Sequence, residues 1–226
     1  MNTARIIAVT QPIRTEEFSL EPNMTAEDLI AYCARVSNPQ NQMTLETAPK
    51  LLKYLIKNKH WSPFEMVHIV MEIHTTRDIA RQILRHRSFS FQEFSQRYAD
   101  PTKDLGFTTR EARLQDTKNR QNSIETDDEG IQNMWKTKQD HVQWAAKDAY
   151  NWAIENGIAK EQARVILPEG NTISRLYMNG TIRSWLHYIQ LRSANGTQKE
   201  HREIALKCAE VIAKVFPMAK EFTEQE

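Results

Sequence analysis

Between Arg81 and Tyr98 the chain sets Arg85, His86, Arg87 and Arg97 among Phe89, Phe91 and Phe94, with Ser88, Ser90 and Ser95 interleaved. Fixed positive charge beside apolar rings is costly to bury without a partner. Guanidinium groups present a planar fork of donors that matches phosphate or carboxylate. The segment therefore points to a pocket for a planar, anionic ligand. The bland alternative is a solvated helix end whose arginines pair with Asp78 and Glu93, an arrangement that contributes little to stability.

The chain has only six glycines and no Gly-x-Gly-x-x-Gly run. Neither a nicotinamide Rossmann site nor a triphosphate loop is expected, so side chains must hold any phosphate. Gln82, Arg87, Ser95, Arg97 and Arg164 are the candidates. Ser95 with His86 suggests a Ser–His nucleophile pair, but no orienting acid accompanies them. Ser95 reads better as a hydrogen-bond donor. Further on, Thr181, Trp185, Tyr188 and Arg192 follow the four–three–four spacing of one helix face, which sets a second arginine beside aromatic rings.

Two cysteines, Cys33 and Cys208, lie far apart in helical patterns. Both are expected to face the core. Neither is flanked by the His or Arg that marks a thiolate nucleophile. No disulfide and no metal site is expected.

The elements that must position these residues fit a chain of 226 residues with 40% apolar and 26% charged content. That size supports a full core, and a single domain spanning 1–226 is expected. A formal charge of +1 argues against a polybasic nucleic-acid surface. No stretch is apolar enough to cross a bilayer, and the N-terminus lacks a signal peptide's apolar core. A cytoplasmic protein is expected.

Arg5–Thr10 reads as a strand. A capping box from Thr25 to Asp28 opens a helix to Arg35. Pro49 opens a second helix to about Asn58. Met66–His74 reads as a strand, and Thr75 and Thr76 cap a helix from Arg77 to about His86, on which Arg81 and Arg85 point together. Residues 100–126 read as a long polar loop. Asp127 and Asp128 start a long helix ending at Gly157, and its Trp135, Trp144 and Trp152 are expected to be buried by packing or by a partner subunit. A short helix over Lys160–Ile166, a strand over Thr172–Met178 and a helix over Thr181–Arg192 follow. A second capping box, Thr197 to Glu200, starts the last helix, which ends near Pro217. The acidic tail, 220–226, is expected to fray.

Arg85-His86-Arg87, followed after seven residues by Ser95, resembles the signature of the flavin-dependent thymidylate synthases. His60 to Glu65 resembles that family's turn ahead of the signature. Gln162 to Pro168 resembles its third block, and Thr181 to Arg192, with Gln198 and Glu200, its fourth. The blocks keep their order from about Tyr32 to Pro217.

The resemblance implies an α+β fold, a twisted mixed β-sheet packed by helices. It implies conversion of deoxyuridylate (dUMP) to thymidylate (dTMP). The carbon donor would be 5,10-methylenetetrahydrofolate and the reductant NADPH, with FAD as tightly bound cofactor and no cysteine nucleophile. It also implies a homotetramer with active sites at subunit interfaces.

His60 and Ser62 match positions beside the flavin, and Arg85, His86 and Ser88 positions on its other side. Gln82, Arg87, Glu93, Ser95, Arg97 and Arg164 match positions around dUMP, with Arg87 on the phosphate side. Ser95, near the uracil or the phosphate, joins Arg192 as a catalytic candidate. Arg192 matches the arginine set against the pyrimidine and would stabilise negative charge developing on the ring. His187 stands where many members carry Asn near the flavin. Asn179 and Thr181 both match a flavin-contacting Asn. Gly196 stands where some members carry a His near the folate.

Two rival readings are a flavoprotein of the same fold acting on another nucleotide, and a nucleic-acid binder that stacks bases on Phe89, Phe91 and Phe94. The near-zero net charge opposes the latter. The full set of Gln82, Arg87, Ser95, Arg97, Arg164 and Arg192 opposes the former.

Overall fold

The computed structural model describes residues 2–13 and 24–223. Strand β1 (Thr3–Val9) is followed by helices α1 (Ala26–Ala34) and α2 (Ala48–Lys57). The expected capping box opens α1: Asp28 N–H donates to Thr25 Oγ1 at 3.2 Å, and Thr25 N–H to Asp28 Oδ2 at 3.0 Å. A turn of 3-10 helix, Ser62–Glu65, leads into β2 (His68–Thr76), and α3 (Arg77–Ile83) follows without a break. Then come β3 (Ser90–Glu93), the single turn α4 (Pro101–Asp104), and a hairpin of β4 (Arg113–Gln115) and β5 (Ser123–Glu125). The long helix α5 (Glu129–Glu155) and the short α6 (Lys160–Ala163) precede β6 (Ile173–Thr181). Helix α7 (Ile182–Ser193) leaves β6 directly, and α8 (Lys199–Ile212) is the last α-helix among the described residues.

The α+β class holds, with a four-stranded sheet in the order β1-β2-β6-β3. Where a mixed sheet was expected, every pairing in it is antiparallel. Between β1 and β2 the chain doubles back through α1 and α2, which pack on each other. It re-enters the sheet where β1 finishes, pairing Ile69 with Val9. A parallel neighbour would need a crossover laid along the sheet.

Alternate residues of β2 (Ile69, Met71, Ile73) and of β6 (Leu176, Met178) bury one face of the sheet. Ile79 and Ile83 of α3, Trp185 and Ile189 of α7, and Ile204, Cys208 and Ile212 of α8 close over it. Trp185 also donates its indole N–H to the Ile69 carbonyl at 3.2 Å, so the ring is buried with its polar atom satisfied. Truncating such a side chain typically costs about 3–5 kcal/mol. Helix α8 packs on α7, on α3 and on β1, which ties together the helices that carry the candidate residues.

Several local expectations change. Helix α3 ends at Ile83 rather than near His86. His86 N–H turns back to the Ile83 carbonyl at 3.0 Å, so Arg85 is no longer one helical turn above Arg81. Thr76 makes no side-chain cap; its hydroxyl donates to Asp78 at 2.6 Å. Residues 100–126 are not a bare loop: they hold α4 and the hairpin, whose turn is bound by Asp116 Oδ1 accepting from Lys118 and Asn119 N–H at 2.8 and 3.1 Å. Nor does Thr197 cap α8, because Glu200 is engaged elsewhere and Thr197 Oγ1 donates to the Leu191 carbonyl.

At the C-terminus, Ala219 and Phe222 are buried in the core, so the tail is anchored at least that far. Residues 224–226 of the expected fray lie outside the described residues. Cys208 is fully buried as expected, but Cys33 is only partly so.

Candidate active site

The first group of candidates gathers under α7 and α8. Arg192, in the last turn of α7, donates from Nε to His86 Nε2 at 2.9 Å. His86 lies edge-on to Tyr188, with ring centroids 4.9 Å apart. Its imidazole is pushed down to about 4, first by burial and then by the Arg192 and Arg85 charges. It is therefore neutral, with the Nε2 lone pair turned to Arg192 and the proton on Nδ1. Ser95 is not its partner: Ser95 Oγ accepts from Arg97 N–H at 3.4 Å, and the His86 Nε2 lone pair that a Ser–His pair would use is taken by Arg192.

Beneath His86 lies a chain of polar groups that starts buried at Tyr188 and His201 and is half-buried beyond them. Tyr188 OH meets His201 Nε2 at 3.2 Å, His201 Nδ1 meets Gln82 Oε1 at 3.2 Å, and Gln82 Nε2 donates to Gln198 Oε1 at 2.8 Å. Gln198 Nε2 then donates to Glu200 at 2.9 Å, and Arg113 from the hairpin pairs with that carboxylate. His201 escaped the reading of the chain because a lone His on an apolar helix face looks like core. Its only cue is its place one turn beyond Gln198.

The second group lies on the other side of α3. Arg164 lines a cavity of about 350 Å³ with Arg77, Arg81, Gln96, Glu161 and Glu169. Arg97 reaches Glu161 at 3.3 Å. Glu93 accepts from the Ser174 hydroxyl at 2.8 Å and faces the buried Arg77 at 3.5 Å. Asp78 is held by Arg110 at 2.7 Å. The carboxylates thought able to neutralise the signature arginines are thus taken by other arginines. Arg85 and Arg87 are exposed and have no carboxylate partner among the described residues. Arg77 is the residue the sequence reading missed here.

The third group is the expected flavin side. His60 and Ser62 are exposed at the turn before β2, with His60 edge-on to Tyr54 at 6.3 Å. This turn is fixed to α7 twice: Glu65 accepts from Arg183 at 2.8 Å, and Trp61 packs edge-on against His187 at 4.6 Å. Burial and the nearby Arg183 lower the His187 imidazole, keeping it neutral. Ser88 is tied to the start of α7, its carbonyl accepting from Ser184 Oγ at 3.3 Å. Trp61, Glu65 and Arg183 are support residues that spacing alone did not mark.

Asn179 and Thr181 now separate. The Thr181 hydroxyl is the N-cap of α7, accepting from Ser184 N–H at 3.2 Å and donating to Ser184 Oγ. Asn179 Oδ1, by contrast, is buried without a hydrogen-bond partner among the described residues. A buried, orphaned acceptor calls for a donor. An imide N–H such as the flavin ring carries meets that need, so the residues fit the cofactor.

Between them, Gly180 lies under the Phe89 ring, where a Cβ would stand 2.4 Å from Phe89 Cδ1. Phe89 is itself wedged against Trp185 at 4.9 Å. This close approach lets the signature segment lie on β6. Gly196 has φ +91, a backbone that an L side chain adopts only with strain. A histidine at that position would need a different loop.

The thymidylate synthase complementing protein family model matches residues 19–218. A probable flavin-dependent thymidylate synthase of Paramecium bursaria Chlorella virus 1 is 51% identical over 215 residues, covering 95% of each chain. A flavin-dependent thymidylate synthase of Synechocystis is 50% identical, covering 94% of this chain and 95% of its own. Among solved structures, a UMP/dUMP methylase, PolB from Streptomyces cacaoi, superposes with a TM-score of 0.79 at 22% identity, covering 98% of this chain and 93% of that one. At that identity the likeness speaks for the fold alone.

Proposed function

The chain belongs to the flavin-dependent thymidylate synthase family, and we propose how its own residues divide the family's FAD-dependent conversion of dUMP to dTMP. The observation that carries the assignment is the contact of Arg192 with His86, which joins the fourth block to the signature.

In this reading Arg192 faces the pyrimidine. His86 Nε2 accepts one N–H of its fork, fixing the guanidinium plane and leaving the rest of the fork for the ring. A fixed charge half-buried beside Tyr188 stabilises negative charge on the uracil more than it would in water. His86 does not act as a base at Nε2, since that lone pair is committed.

Arg87, Arg97 and Arg164 hold the nucleotide's anionic end, and Gln82, Glu93 and Ser95 its neutral polar groups. Ser95 also stands as the second catalytic candidate, by its closeness to the uracil or the phosphate. FAD, when bound, supplies redox chemistry that side chains lack. His60, Ser62 and His187 would border it from the turn and α7, and Arg85, His86 and Ser88 from the signature segment. Asn179 rather than Thr181 meets its ring, since Thr181 is spent as a cap. 5,10-Methylenetetrahydrofolate is the carbon donor and NADPH the reductant.

No thiol takes part. Burial alone pushes the Cys208 thiol well up, and raises Cys33 too, so both stay protonated. A protonated thiol is a poor nucleophile, and Cys208 is enclosed as well.

We further propose a homotetramer whose copies share each site. The Arg192 group and the Arg164 group lie on different sides of α3, so a neighbouring copy is suited to complete each. On α5, Trp135, Trp144 and Trp152 are 46%, 71% and 60% exposed, and the chain's own packing does not bury them. Trp144 and Trp152, eight residues apart, share one side of the helix, and such a face calls for a partner, whereas Trp135 lies on the opposite side. No helix among the described residues is long and apolar enough to cross a membrane. Two protonated, unpaired thiols fit a cytoplasmic setting.

The test is release of tritium from the C5 position of labelled dUMP, with FAD, NADPH and 5,10-methylenetetrahydrofolate present. Release that requires all of them supports the reading. Protein that retains FAD yet releases no tritium above background rules it out.

A further inference from the structure

Glu200 fixes a direction along this polar chain. Paired with Arg113 and facing Arg110, its carboxylate can only accept. Gln198 must therefore aim Nε2 at Glu200, which turns its Oε1 toward Gln82. Gln82 must answer with Nε2, which turns its own Oε1 to the ring of His201. An oxygen there requires a proton on His201 Nδ1. His201 Nε2 is then bare, and the Tyr188 hydroxyl donates to it. Each group has one consistent orientation, and reversing any of them sets two donors or two acceptors face to face.

We infer that His201 is a positioning residue for Gln82: through its Nδ1–H it locks the Gln82 carboxamide in one orientation toward the nucleotide. Two independent features single it out. It is fully buried although it is a His, and it is the only ring that links Gln82 to the α7 core among the described residues. The locked amide keeps one N–H and one oxygen lone pair with no protein partner among the described residues. These are the atoms it offers to a ligand. A free carboxamide would present either order of donor and acceptor, and ordering it at each binding event would weaken affinity. The imidazole is suited to this task because it stays neutral: burial, Arg192 and His86 together hold it down to about 3.

This inference rests on the proposal that Gln82 meets dUMP, so the experiment includes Gln82→Ala. Flavin-loaded protein is used throughout, and KM for dUMP is measured separately from kcat. Gln82→Ala should raise KM by about 10-fold, as loss of paired hydrogen bonds does. His201→Leu, which removes the donor but keeps bulk, should raise KM by about 3- to 10-fold with kcat and FAD affinity little changed. His201→Asn, whose Nδ2–H stands where imidazole Nδ1–H was, should recover most of the loss. Tyr188→Phe frees the ring to take either tautomer and should move KM the same way by a smaller factor. It also serves if His201→Leu does not fold.

If Gln82→Ala leaves KM unchanged, the assignment of Gln82 to the nucleotide fails, and the inference with it. If Gln82→Ala weakens dUMP while His201→Leu and Tyr188→Phe do not, the nucleotide assignment stands and His201 is only core. Equal loss in His201→Leu and His201→Asn would likewise overturn the role given to Nδ1–H.

Discussion

Arg192 Nε donates to His86 Nε2 at 2.9 Å across 106 residues of sequence. The contact has two consequences. It makes the orientation of the α7 arginine depend on the signature histidine, and it adds to the burial that keeps that histidine neutral. His86 is therefore best understood as the part that aims Arg192. His86→Ala should slow turnover by about 10-fold, less than loss of the charge itself, because an unaimed guanidinium still carries its charge. Turnover equal to wild type in the well-folded variant would show that Arg192 needs no such support.

The flavin contact is separable from the helix cap beside it. Asn179→Ala should weaken FAD binding by about 10-fold, since it removes a buried acceptor that lacks a protein partner. Thr181→Ala should instead cost about 0.5–2 kcal/mol of stability as a lost N-cap, with FAD affinity retained. Flavin titration and denaturant unfolding of both variants check this. The reverse pattern would exchange the two roles.

Gly180 has no room for a side chain. With a Cβ 2.4 Å from a ring that is itself packed on Trp185, Gly180→Ala must displace Phe89 and the segment behind it. Overpacking of this kind typically costs about 1–3 kcal/mol. An unfolding midpoint matching wild type would mean that the segment shifts at no cost.

His86 and His201 also set a pH dependence. Their ordinary value is 6.5, and in the fold they are held to about 4 and about 3, chiefly by burial. The unfolded chain therefore takes up protons at a pH where the fold does not. The stability from their neutral burial is complete above 6.5, and it is lost as pH falls, down to about 4 for His86 and about 3 for His201. Urea midpoints should fall between about pH 7 and about pH 5, and more shallowly in His201→Leu than in wild type. A wild-type midpoint that is level across this range would show that the two rings accept protons in place.

Most of the scaffold was legible because local rules agree with the fold. Thr25 and Asp28 announce α1, Asp128 and Gly157 bracket α5, and the β2 and β6 runs read as strands. The misses share a cause: a residue with a strong local preference was claimed by a distant partner. Glu200 suits a capping box with Thr197, but Arg113 and Gln198 take it. Arg81 and Arg85 suit one helix face, but His86 must turn under α7, and α3 stops short.

The hairpin after Arg110 reads as loop because its strands are short and polar. At the site, the blocks exposed the residue types, while their pairing was invisible. Nothing in the spacing says that His86 meets Arg192, or that Arg77 rather than Arg87 faces Glu93. The tryptophans of α5 show the same limit from the other side: their spacing suits burial, yet the chain's own packing leaves them exposed.

The central claim is that a fixed charge at Arg192, with no enzyme thiol, activates the pyrimidine. Single-turnover methylation, with reduced flavin confirmed bound and dUMP saturating, tests it most directly in Arg192→Ala, Arg192→Lys, Arg87→Ala and the Cys33→Ala/Cys208→Ala double variant. Arg192→Ala should be slower by about 10²-fold, the usual loss on removing a transition-state donor. Arg192→Lys should recover part of that rate through charge without the planar fork. Arg87→Ala should regain the wild-type rate at saturation, because a phosphate contact is made in ground and transition states alike. The cysteine double variant should react at close to the wild-type rate, with any loss confined to stability. An Arg192→Ala enzyme that reacts at the wild-type rate, or a folded, substrate-binding cysteine variant that does not react, would contradict the account.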